Sequence, residues 1–245
     1  MPRASRYILP GQTVHITQRC HNRSFLLKFA KDRTRYVDML RERLEEHAID
    51  LFTYCITSNH VHLLLRDREA GGETSSIPAF MNSLAGDFAQ AYNLRKRRSG
   101  SFWGDRYHAS MIDDREYLFR CLRYIDMNMV RAGAVAHPSE WLWTGYNELV
   151  GVRKRYRLIN RERLLLHLCS DGRRFTENYI IAIDEAVRRR EHERESCWTE
   201  NLAVGSEAWC KHIAPRIPLR MRTEVVDQQA ATVGHVIRET TAAYG

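Results

Sequence analysis

The segment Ser58-Asn59-His60-Val61-His62-Leu63-Leu64-Leu65 constrains this chain more than any other. A short apolar run of this kind reads as a buried strand, and successive side chains of a strand face opposite ways. His60, His62 and Leu64 then share one face, and Val61, Leu63 and Leu65 the other. At that spacing the two histidine Cα atoms lie roughly 6.5 to 7 Å apart, and both imidazoles can reach one ion at about 2.0 to 2.3 Å. A solvated or hydrogen-bonded pair at a strand edge has the same sequence, so the dyad alone leaves both readings open.

A partner for it stands further along, between Glu116 and Gly133. The spacing predicts a helix of about four turns, with Asp113 or Asp114 as cap, Glu116 in its first turn, and Arg131 and Gly133 at its end. Leu118, Leu122, Ile125 and Met129 form the stripe that docks on a core. Tyr117, Cys121, Tyr124 and Asn128 form a second stripe beside it, which puts a phenol and a carboxamide one turn apart on one flank. Taken alone, a tyrosine in such a stripe reads as a packing residue with a satisfied hydroxyl.

The remaining pattern is α+β. Val14 and Ile16 alternate with His15 and Thr17 in a strand over residues 13 to 20. Tyr36, Val37, Leu40, Leu44 and Ala48 recur at helical spacing, Leu51 to Ile56 read as a second strand, and the histidine strand follows. Ser76 and Pro78 start a helix bearing Phe80, Leu84, Phe88 and Ala91. Antiparallel strands with helices packed on the sheet satisfy this order. After residue 150 dense charge and helix formers predict a basic helical extension over 151–245, including Arg188-Arg189-Arg190 and a segment that starts near Ser206. It reads as a solvated appendage more readily than as a second DNA-reading module.

A net charge of +8 and a pI near 9.3 point to a polyanionic partner without saying whether it is DNA, RNA or an acidic membrane. No apolar run approaches the roughly 20 residues that span a bilayer. The six cysteines are scattered, which predicts reduced thiols in a cytoplasmic protein and argues against a zinc cluster or a disulfide framework. Arg95-Lys96-Arg97-Arg98, followed by Phe102 and Trp103, is a candidate phosphate-binding loop with stacking aromatics. The aromatics serve equally well as core. Arg3, Arg6 and Arg106 are further candidate DNA contacts.

As a set, these residues resemble a known family. His60-Val61-His62 resembles the His-hydrophobic-His motif of the single-tyrosine HUH transposases, and Tyr124-Ile125-Asp126-Met127-Asn128 resembles their nucleophile helix. Leu9-Pro10-Gly11, Ile16-Thr17-Gln18-Arg19, the segment Ser101 to Tyr107 and the segment Pro138 to Trp143 are similar to the REP-associated tyrosine transposases. The likeness covers about residues 5 to 150, the span expected to form the transposase domain (1–150). Two departures stand out: insertion-sequence relatives have Gln where Asn128 stands, and many REP-associated relatives have Pro where Met129 stands.

The resemblance implies a ferredoxin-like fold with the histidines on a central strand and Tyr124 on a neighbouring helix. It further implies Mg2+ or Mn2+ held by His60, His62 and Asn128, and attack by Tyr124 on single-stranded or hairpin DNA. The product would be a 5′-phosphotyrosine link. Such proteins act as monomers or as homodimers with exchanged tyrosines. Two other classes fit the residues: a hairpin-binding protein without cleavage, and a metal-dependent nuclease that uses water.

Overall fold

The computed structural model describes residues 7–68, 72–191, 193–217, 223–227 and 234–239; Arg3 and Arg6 lie outside them. The first half of the chain follows the order β1 (Thr13–Arg19), α1 (Ala30–Glu46), β2 (Ile49–Ile56), β3 (His60–Asp67), α2 (Ile77–Lys96), β4 (His108–Ile112). The four strands lie side by side as β2-β3-β1-β4, and every neighbouring pair among them is antiparallel. This is the ferredoxin-like arrangement expected from the resemblance.

Register decides what each face carries. Thr17 pairs with His62 and Arg19 with His60 across β1 and β3, and Thr17 pairs with His108 and His15 with Ser110 across β1 and β4. Directly paired residues point the same way, so His15, Thr17, Arg19, His60, His62, His108 and Ser110 share one face. Val14, Ile16, Val61, Leu63 and Leu65 fill the other, fully buried, on the side of α1 and α2. Those helices contribute Tyr36, Leu40 and Leu44, and Phe80, Leu84 and Phe88, to the same core.

The helix expected between residues 116 and 133 is present as α3 (Glu116–Asp126) and α4 (Asn128–Arg131), interrupted at Met127. Its start differs from expectation. Neither Asp113 nor Asp114 caps it: Asp113 accepts from the Ser206 amide and hydroxyl, and Asp114 accepts from Arg66 and bonds His167. Arg115 at φ 58° turns the chain into α3 instead.

Asp126 fixes α3 on the sheet. Buried at 1% exposure, it accepts from Thr53 on β2 at 2.9 Å, Thr144 at 2.8 Å and the Tyr179 hydroxyl at 2.6 Å. Phe102 and Trp103 resolve as core, with the Trp103 indole donating to the Ala85 carbonyl at 2.9 Å.

The helical extension expected after residue 150 is present as α6 (Arg161–Leu168), α7 (Gly172–Arg188), α8 (Cys197–Glu200) and α9 (Glu207–Ile213), following a short α5 (Tyr146–Leu149). It also carries β5 (Ala203–Gly205), β6 (Thr223–Asp227) and β7 (His235–Glu239), which the sequence pattern did not announce. β5 joins β4 in parallel and the sheet grows to seven strands. Three residues of alternating small side chains carry too little periodicity to read as a strand; their pairing partner β4 supplies it. The extension is therefore not an appendage, because its Trp198, fully buried, packs beneath the histidine face.

Candidate active site

β3 presents both histidines to the face covered by α3, where their ring centroids lie 4.9 Å apart. The Nδ1 edge of each ring is engaged. His60 Nδ1 lies 2.7 Å from Asn59 Oδ1 and 2.9 Å from Thr57 Oγ1, and His62 Nδ1 lies 2.9 Å from His15 Nε2. The other edge of His62 meets the Asn128 side chain, with Nε2 at 2.9 Å from the carboxamide nitrogen. The His60 ring stands edge-on to His62 beside this carboxamide. Two imidazoles and one carboxamide thus converge.

Burial dominates the protonation of this cluster. It holds His60 down to about 3, with the Arg19 guanidinium adding to the effect, and it holds His62 well below the usual imidazole range, with His60 and His15 next in importance. Both rings are neutral at physiological pH, the form that binds a metal.

The donor set fits a divalent ion of the Mg2+ or Mn2+ type. Both Nδ1 atoms are tied back by protein groups, as metal-bound imidazoles usually are, and a half-turn of the Asn128 amide exchanges its nitrogen for its oxygen. Among the described residues no group of three His, Cys, Asp or Glu side chains converges as a metal site. The candidate set depends on the carboxamide as its third member.

Tyr124, one turn before Asn128, is 4% exposed. Its ring meets His62 edge-on at 6.1 Å and His15 at 6.0 Å, and tilts against Trp198 at 6.2 Å. The Arg131 guanidinium sits 4.3 Å from the ring centroid and donates to the Tyr124 carbonyl at 2.6 Å, where the helix is interrupted. Burial raises the phenol above its ordinary value, while Arg131 and Arg194 pull it down.

The four residues singled out for chemistry therefore meet in one place. The basic run does not join them. Arg95 and Lys96 are paired with Asp32, whose side chain is fully buried, and Arg98 donates to Asn93 Oδ1 and to the Gly100 and Ser101 carbonyls. Arg97 closes α2 in a left-handed conformation and is exposed. Arg106 lines a groove of about 590 Å³ with α2 residues and Gln18, on the sheet face away from the histidines. Tyr107 lines the same groove.

Sequence reading missed His15, Trp198, Arg131 as a partner of Tyr124, and Arg194. His15 was legible only as the polar half of an alternating strand. The signal that could have found it is its place on β1, two residues before the Thr17 that pairs with His62.

Residues 9–128 match the model of the family described as "Transposase IS200 like". A solved structure of a REP-associated tyrosine transposase bound to a REP hairpin aligns with 64% of this chain and 90% of its own, at 18% identity and a TM-score of 0.50, which shows a shared fold. A candidate transposase from Deinococcus radiodurans aligns with 44% of this chain and 84% of its own, at 19% identity and a TM-score of 0.33; so loose a fit carries no argument. No functionally curated protein matches the sequence. Because the family match runs from Leu9 to Asn128 and so contains both the histidine strand and the tyrosine helix, this region of the chain belongs to the IS200-like transposases.

Proposed function

We propose that this transposase is a metal-dependent single-stranded DNA transesterase whose nucleophile is Tyr124 and whose substrate is a hairpin of the REP type. The observation that carries the reading is the meeting of Tyr124 with its own chain's His62, 6.1 Å between ring centroids, beside an Asn128 that bonds His62. The family is one of DNA cleavage and strand transfer, and the structural neighbour holds a REP hairpin. A tyrosine placed beside the histidines of the same chain favours a complete site in one monomer over exchange between two.

His60, His62 and Asn128 would hold Mg2+ or Mn2+. Bound there, the ion would supply Lewis acidity to the scissile phosphate. Tyr124 Oη forms a bond to phosphorus, the bond from phosphorus to the 3′ oxygen breaks, and a proton is lost from the phenol and gained by the leaving 3′-hydroxyl. The guanidiniums of Arg131 and Arg194 stabilise the phenolate on the way. The 5′-phosphotyrosine link keeps the phosphodiester count unchanged, so the 3′-hydroxyl reverses the step without ATP.

The test is denaturing electrophoresis of end-labelled hairpin DNA with wild type and with Tyr124→Phe, Tyr107→Phe and Tyr117→Phe. Wild type should form a covalent adduct that maps to Tyr124 by mass spectrometry. Tyr124→Phe should bind DNA and form neither adduct nor nick, and the other two variants should keep cleaving. An adduct on Tyr107 or Tyr117 would overturn the assignment, cleavage without any adduct would mean water is the nucleophile, and binding without cleavage would leave a hairpin-binding protein.

A further inference from the structure

We infer that His15 is a positioning residue: it relays the backbone carbonyl of Trp198, in the extension, to His62, and so fixes which nitrogen of His62 is offered to the metal. The inference rests on the proposed metal site, but its first observable does not require metal. Four groups stand in a line. The Trp198 carbonyl oxygen lies 2.8 Å from His15 Nδ1, His15 Nε2 lies 2.9 Å from His62 Nδ1, and His62 Nε2 lies 2.9 Å from the Asn128 carboxamide nitrogen. The two imidazoles are nearly parallel, 15° between planes with centroids 5.1 Å apart. Both are buried, His15 fully and His62 to 1% exposure.

A carbonyl oxygen can only accept, so His15 must carry its proton on Nδ1 to bond Trp198. In a neutral ring this leaves Nε2 as an acceptor. His62 Nδ1 can bond that acceptor only as a donor, which places the His62 proton on Nδ1 as well. Nε2 of His62 is then left with its lone pair, facing Asn128 and His60. One carbonyl therefore sets two tautomers in sequence, and the last one is the form a metal ligand needs. Thr17 Oγ1, at 3.4 Å from the same His62 Nδ1, is the weaker partner at the limit of hydrogen-bonding distance.

The relay gives the extension a place in the site. Trp198 belongs to α8, which packs against β1 and β4, and Ser110 and His108 on β4 hold the Asn201 carbonyl at 2.5 and 3.2 Å. These contacts fix the segment that carries the Trp198 carbonyl. A transposase domain ending at residue 150 would leave His15 Nδ1 without this acceptor.

The experiment uses the full chain labelled with 15N-histidine, in chelator, with long-range 1H–15N correlation spectra that report the tautomer of each ring. Wild type should show His15 and His62 both protonated on Nδ1. In His15→Phe, His62 should shift toward the Nε2-protonated form, and Mn2+ affinity measured by calorimetry should fall about 10- to 100-fold, as for other outer partners of metal-binding histidines. His15→Gln should restore both, since its amide can donate to Trp198 and accept from His62. An Nε2-protonated His62 in wild type would overturn the relay, as would a His62 that stays Nδ1-protonated in His15→Phe, which would assign the role to Thr17. If wild type shows the two Nδ1 tautomers but binds no Mn2+, and His60→Ala changes nothing, the metal reading fails while the relay stands.

Discussion

At the scale of single residues, the proposed metal ligands differ in how much each has to give. His60 and His62 are rigidly placed, each with Nδ1 engaged by a neighbouring side chain, so truncating either removes an oriented nitrogen that nothing else can replace. His60→Ala and His62→Ala should abolish cleavage of hairpin DNA, with Mn2+ binding lost in calorimetry and DNA binding retained in a mobility-shift assay. Asn128→Ala leaves both imidazoles and should be milder, with cleavage partly restored by raised Mn2+. Full activity of either histidine variant in metal-containing buffer would remove the metal from the mechanism. The closeness of His60 to His62 and of Tyr124 to Asn128 was legible in the sequence because each pair is local, two residues along a strand and one turn along a helix; that the two pairs belong to one site came from the family resemblance. His15 and Trp198 were not, since their contact spans 183 positions and a strand's alternation does not say what covers its second face.

At the scale of elements, α3 is held by a carboxylate rather than by apolar contact alone. Burial raises Asp126 to about 7 against the pull of three hydroxyl donors, and each of those hydroxyls loses its acceptor if the side chain is truncated. Asp126→Ala should therefore cost about 3 kcal/mol or more in urea unfolding, from buried donors left unpaired, and should disturb the Tyr124 helix. A loss under about 1 kcal/mol would show that the three hydroxyls find other partners. The basic run also divides by element. Arg95 and Lys96 are committed to Asp32 on α1, so Arg95→Ala should lower the melting temperature by leaving a buried carboxylate underpaired. Arg97 and Arg98 follow in the turn that closes α2, and replacing both by Gln should flatten the salt dependence of single-strand binding by roughly 0.7 to 1.4 in log–log slope, at about 0.7 per phosphate contact. An unchanged slope would move the DNA path away from this turn. A charge run in a sequence names the residues but not their partners, which is why the buried Asp32 stayed hidden.

At the scale of the whole molecule, the polar face of the sheet makes stability depend on acid. His15 and His60 are held down to about 3 and His62 well below the usual range, in every case chiefly by burial. With folded values depressed below the unfolded 6.5, the unfolded chain takes up these protons first, so stability is full above pH 6.5 and is lost as pH falls toward 3. Asp126 works the other way: its folded value near 7 lies above the unfolded 3.8, so between those limits the folded state binds the extra proton and gains as pH falls. Three protons against one leave a net of about two, or on the order of 3 kcal/mol lost per pH unit once pH is well below 6.5. From pH 6 to 4 that is on the order of 5 kcal/mol, comparable to the whole stability of a typical domain at about 5 to 15 kcal/mol. Urea unfolding in chelator at half-unit steps should show this fall, with an acid transition between about pH 4 and 5. Asp126→Asn removes the opposing group and should steepen the slope toward three protons per molecule. A wild-type stability that stays flat from pH 6.5 to 4.5 would mean the histidines are not held neutral by the fold, and the buried imidazole line from His15 to His62 would lose its physical basis.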